Sequence, residues 1–174
     1  MRTAVTEHLK KIAVQVATIT DDVLLAELDT RWKDHKVTMV MIRDILMYMD
    51  RTYVVQNKKT PVYDLGLTIF LKVIVRHEQV KERLRRLLLA NIALDRQGQP
   101  IDTIEMKHML DMLVELGVRT VDVYAADFEG DFLDQTQSFY QQESQECISN
   151  NTCPGGNNLV FVRVSCLYFC LQST

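Results

Sequence analysis

Helix breakers are scarce in this 174-residue chain: there are six glycines and three prolines, and none of them precedes Pro61. The first sixty residues can therefore hold long uninterrupted helices. Cysteine is absent until residue 147, and all four cysteines (Cys147, Cys153, Cys166, Cys170) crowd the last 28 residues. That placement cannot staple a domain, so a disulfide framework is excluded and reduced thiols are expected. No excess of positive charge exists, with 20 Lys and Arg against 23 Asp and Glu and a net charge of -3. Without a positive field to gather a polyanion, no nucleic-acid partner is expected. The start lacks a continuous apolar run, because Arg2, Glu7, His8, Lys10 and Lys11 interrupt Met1 to Val14, which excludes a secretory signal and points to cytoplasm or nucleus. The most apolar stretch, Leu159 to Leu171, has 13 residues. It falls short of the roughly 20 needed to span a bilayer, and no membrane partner is expected.

What is present is helical periodicity. Apolar residues make up 47% and charged residues 25%, as in an ordinary globular chain, at the upper end of one domain or cut from a repeat array. Val5, Leu9, Ile12 and Val16 mark a first helix. After Thr20, Asp21 and Asp22, Leu25, Leu28, Trp32, His35, Met39, Ile42, Leu46, Met49 and Tyr53 follow at alternating steps of three and four. This heptad spacing predicts one helix of roughly 30 residues, about 45 Å long. Val62 to Arg96 reads as helical throughout, with Leu65, Ile69, Val73, Val80, Leu84, Leu87, Leu88 and Ile92 as its apolar positions and Arg83, Arg85 and Arg86 outward, ended by Gly98 and Pro100. Asp102 to Leu116 is a further helix carrying Ile104, His108 or Met109, Met112 and Leu116, stopped by Gly117. Asp122 to Ile148 predicts one or two helices, broken near Gly130, with Phe128, Phe132, Phe139 and Tyr140 as aromatic knobs. The expected fold class is all-α, with long antiparallel helices and short connections, in the manner of a helical repeat array.

No catalytic constellation emerges. His8, His35, His77 and His108 fall on four different helices without metal-ligand spacing, and Cys153, Cys166 and Cys170 lack a usual fourth ligand. The pairs Asp21 with Asp22 and Asp127 with Glu129 read as caps or solvated faces, and Lys81, Arg83, Arg85 and Arg86 as a solvated helix flank. Neither a cofactor nor a metal is expected. The informative segment is MIRDILMYMDRTY, residues 41 to 53. With Ile42, Leu46, Met49 and Tyr53 turned inward, Asp44, Met47, Tyr48 and Arg51 lie on a flank. Tyr, Arg and Met together are the composition of an interface hot spot, while the plainer alternative has Tyr48 packed on a neighbouring helix.

The run MVMIRDILMYMDRTYV (39 to 54), with Trp32, Asp34 and His35 before it, resembles the first repeat of the cullin family, in its cullin-three branch. VTEHL (5 to 9), VYDLGLTIF (62 to 70), VYAADFEGDFL (123 to 133) and SFYQQESQE (138 to 146) match in order, and the resemblance stops near Pro154. It implies the end of a first cullin repeat over 1–100, the start of a second over 101–154, and a non-family tail, disordered or unstable, over 155–174. It also implies a scaffold for a cullin-RING ubiquitin ligase that binds BTB-domain substrate adaptors and is not itself an enzyme. Tyr48 and Arg51 match contact positions of that family, with Asp44 and Met47 beside them. The chain is expected to lack the first two helices of the repeat and the C-terminal region that recruits a RING protein and accepts NEDD8. No RING protein is then expected to bind it directly. The alternative expectation is a truncated product that folds poorly or oligomerises and binds no adaptor.

Overall fold

The computed structural model describes residues 1–150, and within them every element is helical. The helices are α1 (Arg2–Thr18), α2 (Asp21–Ile45), α3 (Met47–Met49), α4 (Val62–Phe70), α5 (Glu78–Arg96), α6 (Thr103–Glu115), α7 (Asp122–Tyr124) and α8 (Gly130–Asn150). Three π-helical turns, Asp50–Val54, Leu71–Val75 and Ala125–Glu129, extend α3, α4 and α7. The expectations for the tail, and for Cys153, Cys166 and Cys170, lie outside the described residues.

One core cluster runs from Leu9 and Ala13 of α1, through Leu25, Leu28 and Trp32 of α2, to Phe70, Leu88, Met109, Met112 and Phe128. It crosses residue 100 without a gap. There the chain turns through Gly98, whose φ of 77° suits a residue without Cβ, and the Gln99 N–H closes back on Leu94 O at 3.0 Å. Asp102 then caps α6 by accepting from the N–H groups of Ile104 and Glu105 at 3.0 and 2.9 Å.

Helices α2 and α4 cross closely because Gly66 has no side chain. A Cβ at this position would stand 2.5 Å from Met39 Cε and 2.7 Å from its Sδ. Beside that crossing His35 donates from Nε2 to Gly66 O at 3.1 Å, and Trp32, His35 and Phe70 pack ring against ring. A buried imidazole with a carbonyl acceptor stays neutral. Burial lowers the His35 pKa below its usual 6.5, and the bond to Gly66 only partly opposes that shift.

The π-helical turns correct several expectations. Val62 to Arg96 is not one helix: the turn Leu71–Val75 ends at Arg76, whose N–H reaches back five residues to Leu71 O, and α5 begins after His77. Leu65 and Val73 are only half-buried, while Phe70, Leu71 and Ile74 are buried. The break expected near Gly130 is present as the π-turn Ala125–Glu129, which ends directly before it; Gly130 itself is helical at φ −56°, ψ −56° and opens α8. In α6, Ile104 is exposed and Met106 takes the inward place. The aromatic knobs do meet, Tyr124 on Phe128 and Phe128 on Phe132, and the Arg96 guanidinium lies over Phe132 and Phe139 at 5.7 and 5.2 Å.

The cation run is only in part a solvated flank: Arg86 stays exposed, but each member of the run pairs with a carboxylate. Arg83 donates to Ala17 O and Ile19 O at the end of α1, and its Nε meets Asp21 Oδ1 at 2.7 Å. One guanidinium thus satisfies carbonyls at one helix end and a carboxylate at the start of the next. Arg83 and Arg86 hold the Asp21 carboxyl below its usual range. Asp127, expected on a solvated face, is half-buried between Arg76 and Lys81 at 3.1 and 3.2 Å, and Arg85 pairs with Glu82 and Asp131. These side chains point at other elements, which helical periodicity alone does not reveal.

Candidate partner-docking site

Up to Met39, α2 is held on several sides. Its inward stripe of Leu24, Leu25, Leu28, Trp32, His35 and Met39 is buried. Lys36 donates to Glu115 Oε2 at 3.0 Å, the Tyr63 hydroxyl donates to Glu115 Oε1 at 2.9 Å, and the Lys36 ammonium sits 5.1 Å from the Trp32 ring centre. This chain of contacts ties α2 to α4 and α6. Burial, with the bond to Glu115 adding to it, pushes the Tyr63 phenol up to about 12, so it stays a donor at any physiological pH.

Beyond Met39 the helix leaves this support. Ile42 and Leu46 are half-buried, and no residue between Met39 and Val54 is fully buried. At Leu46 the backbone opens to φ −94°, ψ 13°, which ends α2 short of the single 30-residue rod expected from the heptads. Immediately after it, Asp50–Val54 winds as a π-helix. Because a π-turn takes an extra residue per turn, the inward line continues at steps of four: Ile42, Leu46, Asp50, Val54. Val54 is 7% exposed, whereas Tyr53, expected inward, is 55% exposed, and Met49 also faces out.

The four residues singled out in the sequence share one region of this segment. Tyr48 is 82% exposed; Asp44 and Met47 are exposed, as is Arg51. Asp44 and Tyr48 stand one turn apart, as do Met47 and Arg51, so each pair can share a contact. Asp44 is paired with the adjacent Arg43 at 2.9 Å, an exposed contact of little energetic weight. Tyr48 O accepts from the Thr52 hydroxyl at 2.6 Å. The phenol itself is left to solvent.

Sequence reasoning missed the apolar residues around them. Val37, Met41 and Ile45 are exposed, Ile45 at 81%, and with Tyr48 they follow at steps of four, four and three. They form a second stripe, on the side of α2 away from Trp32, His35 and Met39. Its spacing was readable in the sequence but was overshadowed by the core stripe. Met49 and Tyr53 were not readable, because no sequence pattern announces the π-turn that brings them out. Val55 is exposed beside them. A contiguous apolar face of this length is the usual mark of a surface that another macromolecule covers. Among the described residues no helix is long and apolar enough to cross a membrane.

A protein-family model described as the cullin alpha solenoid domain matches residues 1–156. Cullin-3 of Dictyostelium discoideum is 43% identical over 154 residues, covering 88% of this chain and 20% of that protein. Cullin-3B of Arabidopsis thaliana is 39% identical over 151 residues, 87% of this chain and 20% of that protein. Cullin-4A of Mus musculus is 34% identical over 146 residues, 83% of this chain and 19% of that protein. The chain spans about 20% of the length of the curated relatives it matches. A helical stack with paired helices around one continuous core and a family match over most of its length lead to one conclusion: this chain belongs to the cullin family.

Proposed function

We propose that the chain acts as a non-enzymatic scaffold piece of a cullin-RING ubiquitin ligase, and that it holds a BTB-domain substrate adaptor against the face of α2 and α3 centred on Tyr48 and Arg51. The observation that carries this reading is the exposure of Met47 and Tyr48 on α3, next to Met41 and Ile45 on the outer side of α2, whose inner side is buried as far as Met39. Tyr offers a broad apolar ring with a polar tip, Arg a long stem with a charged fork, and Met adapts to a groove; central residues of this kind dominate binding energy. The identity to proteins named Cullin-3 in two of the relatives above supports the choice of adaptor class. The division into the end of one repeat (1–100) and the start of the next (101–154) belongs to the same proposal, supported by the sharp turn at Gly98.

Calorimetric titration of the purified chain with a BTB-domain dimer tests the reading. Saturable binding that the Tyr48→Ala, Arg51→Ala double variant loses, with helix content unchanged, supports it. Equal binding by the variant removes the site, and no binding by a cooperatively melting monomer removes the adaptor assignment. A chain that elutes as an oligomer would favour the second reading, in which copies cover one another's exposed stripe of Val37, Met41 and Ile45.

A further inference from the structure

The docking face depends on a break in helical register, and one residue inside that break has a carboxylate aimed at a distant helix. Asp50 lies at the start of the π-turn Asp50–Val54, and its Oδ1 accepts from the Val62 N–H at 3.0 Å. Val62 opens α4, so its N–H has no acceptor within its own helix. A carboxylate at a helix N-terminus is also favoured by the helix dipole. This contact spans 12 residues and closes the loop through Lys58, whose φ is 49°, and Pro61. With Asp50 fixed inward against α4, the residues on either side of it, Met49 and Arg51, must point away, and Tyr53 follows them outward while Val54 is buried.

We propose that Asp50 is the positioning residue of the docking face, holding the π-turn in the register that presents Tyr53 to the partner alongside Tyr48. The inference rests on the adaptor-binding reading and extends it to two residues, one that contacts and one that acts through it. If Asp50 released Val62, the turn would be free to relax toward ordinary α-helical winding. The inward line would then return to Met49 and Tyr53, as the heptad spacing of the sequence prefers. Tyr53 would turn toward the core and leave the face.

The test is a double-mutant cycle on the full chain, read as affinity for a BTB-domain dimer and, separately, as melting temperature. Asp50→Ala removes the acceptor and is expected to weaken binding about tenfold, the size of one lost charge-assisted hydrogen bond. Asp50→Asn keeps an oxygen that can accept from Val62 and should stay within about threefold of the parent chain. Tyr53→Ala should weaken binding by itself, and in that background the added effect of Asp50→Ala should shrink to about twofold or less, because the residue it positions is gone. A purely structural role would leave the loss undiminished in the Tyr53→Ala background. That result, or full binding by either single alanine variant, overturns the proposal. Should Asp50→Ala prevent folding, Tyr53→Ala and Asp50→Asn still decide. Binding that is lost in Tyr48→Ala but indifferent to Tyr53 and Asp50 leaves the adaptor site standing and removes this inference alone. Absence of binding by the parent chain removes both.

Discussion

The two ends of the α2–α3 segment differ in what holds them. From Asp21 to Met39 the helix is clamped, by Arg83 at its start, by the ring stack of Trp32, His35 and Phe70, and by Lys36 to Glu115. From Val40 to Val55 the segment is held by half-buried Val40, Ile42 and Leu46 and by the pair Asp50 and Val54, while its outer side carries uncovered apolar residues. The first region shows how a helix earns its place in a core, and the second how the same helix can project a surface from it. One sequence pattern runs through both. The difference begins beyond Met39, while α2 is still regular, and from Asp50 π-winding replaces heptad winding, so that a period read from the sequence no longer says which residues face inward.

Substitutions that separate stability from binding sharpen this contrast. Trp32→Ala, in the clamped region, is expected to cost about 3–5 kcal/mol of folding free energy, measured by denaturant titration. If it costs no more than a surface change, the clamp is misplaced. Next in size, Tyr48→Ala with Arg51→Ala should lower affinity for a BTB-domain dimer by about 2 kcal/mol or more, roughly 30-fold, while the unfolding midpoint moves little. A large loss of stability in that variant would make the projecting region part of the core. Gly66→Ala places a Cβ against Met39 at the α2–α4 crossing. Alanine favours a helix over glycine by about 1 kcal/mol, but the clash outweighs this, and a net loss of about 1–2 kcal/mol is expected by thermal melting. A stabilised variant would show that Met39 has room to move.

The smallest effect is a pH dependence confined to the clamped region. His35 is buried and neutral, with a pKa lowered in the folded chain, so the unfolded chain takes up its proton more readily. Its contribution to stability is therefore complete above about pH 6.5, the value for an unburied imidazole, and declines as the pH falls from there toward the lower folded value. His35→Gln should flatten that part of the stability profile, whereas Tyr48→Ala should leave its shape alone. Identical profiles for His35→Gln and the parent chain would mean that other groups set the acid response.

Much of this was legible in the residues. Heptad spacing marks the inward face of α2 as far as Met39, the stop signals at Gly98 and Gly117 fall where helices end, and Tyr48 and Arg51, proposed from the family resemblance, are exposed. At Gly117 the reason is steric, since a Cβ there would stand 1.8 Å from Thr120 O. What was hidden depends on partners far away in the chain. Arg83 looks like a surface cation until α1 ends beside it, Asp127 looks solvated until Arg76 and Lys81 close over it, and Tyr53 belongs to the core stripe until Asp50 binds Val62. Long-range hydrogen bonds and π-turns carry no local signature, so a periodic reading places these residues on the wrong side.

The most direct test of the docking claim is amide hydrogen exchange across the full chain, with and without a saturating BTB-domain dimer. The account predicts slower exchange on binding within residues 41 to 55, above all in the π-turn Asp50–Val54, with α5 and α8 unchanged. Protection centred on α5 and α8, with none between Met41 and Val55, would contradict it.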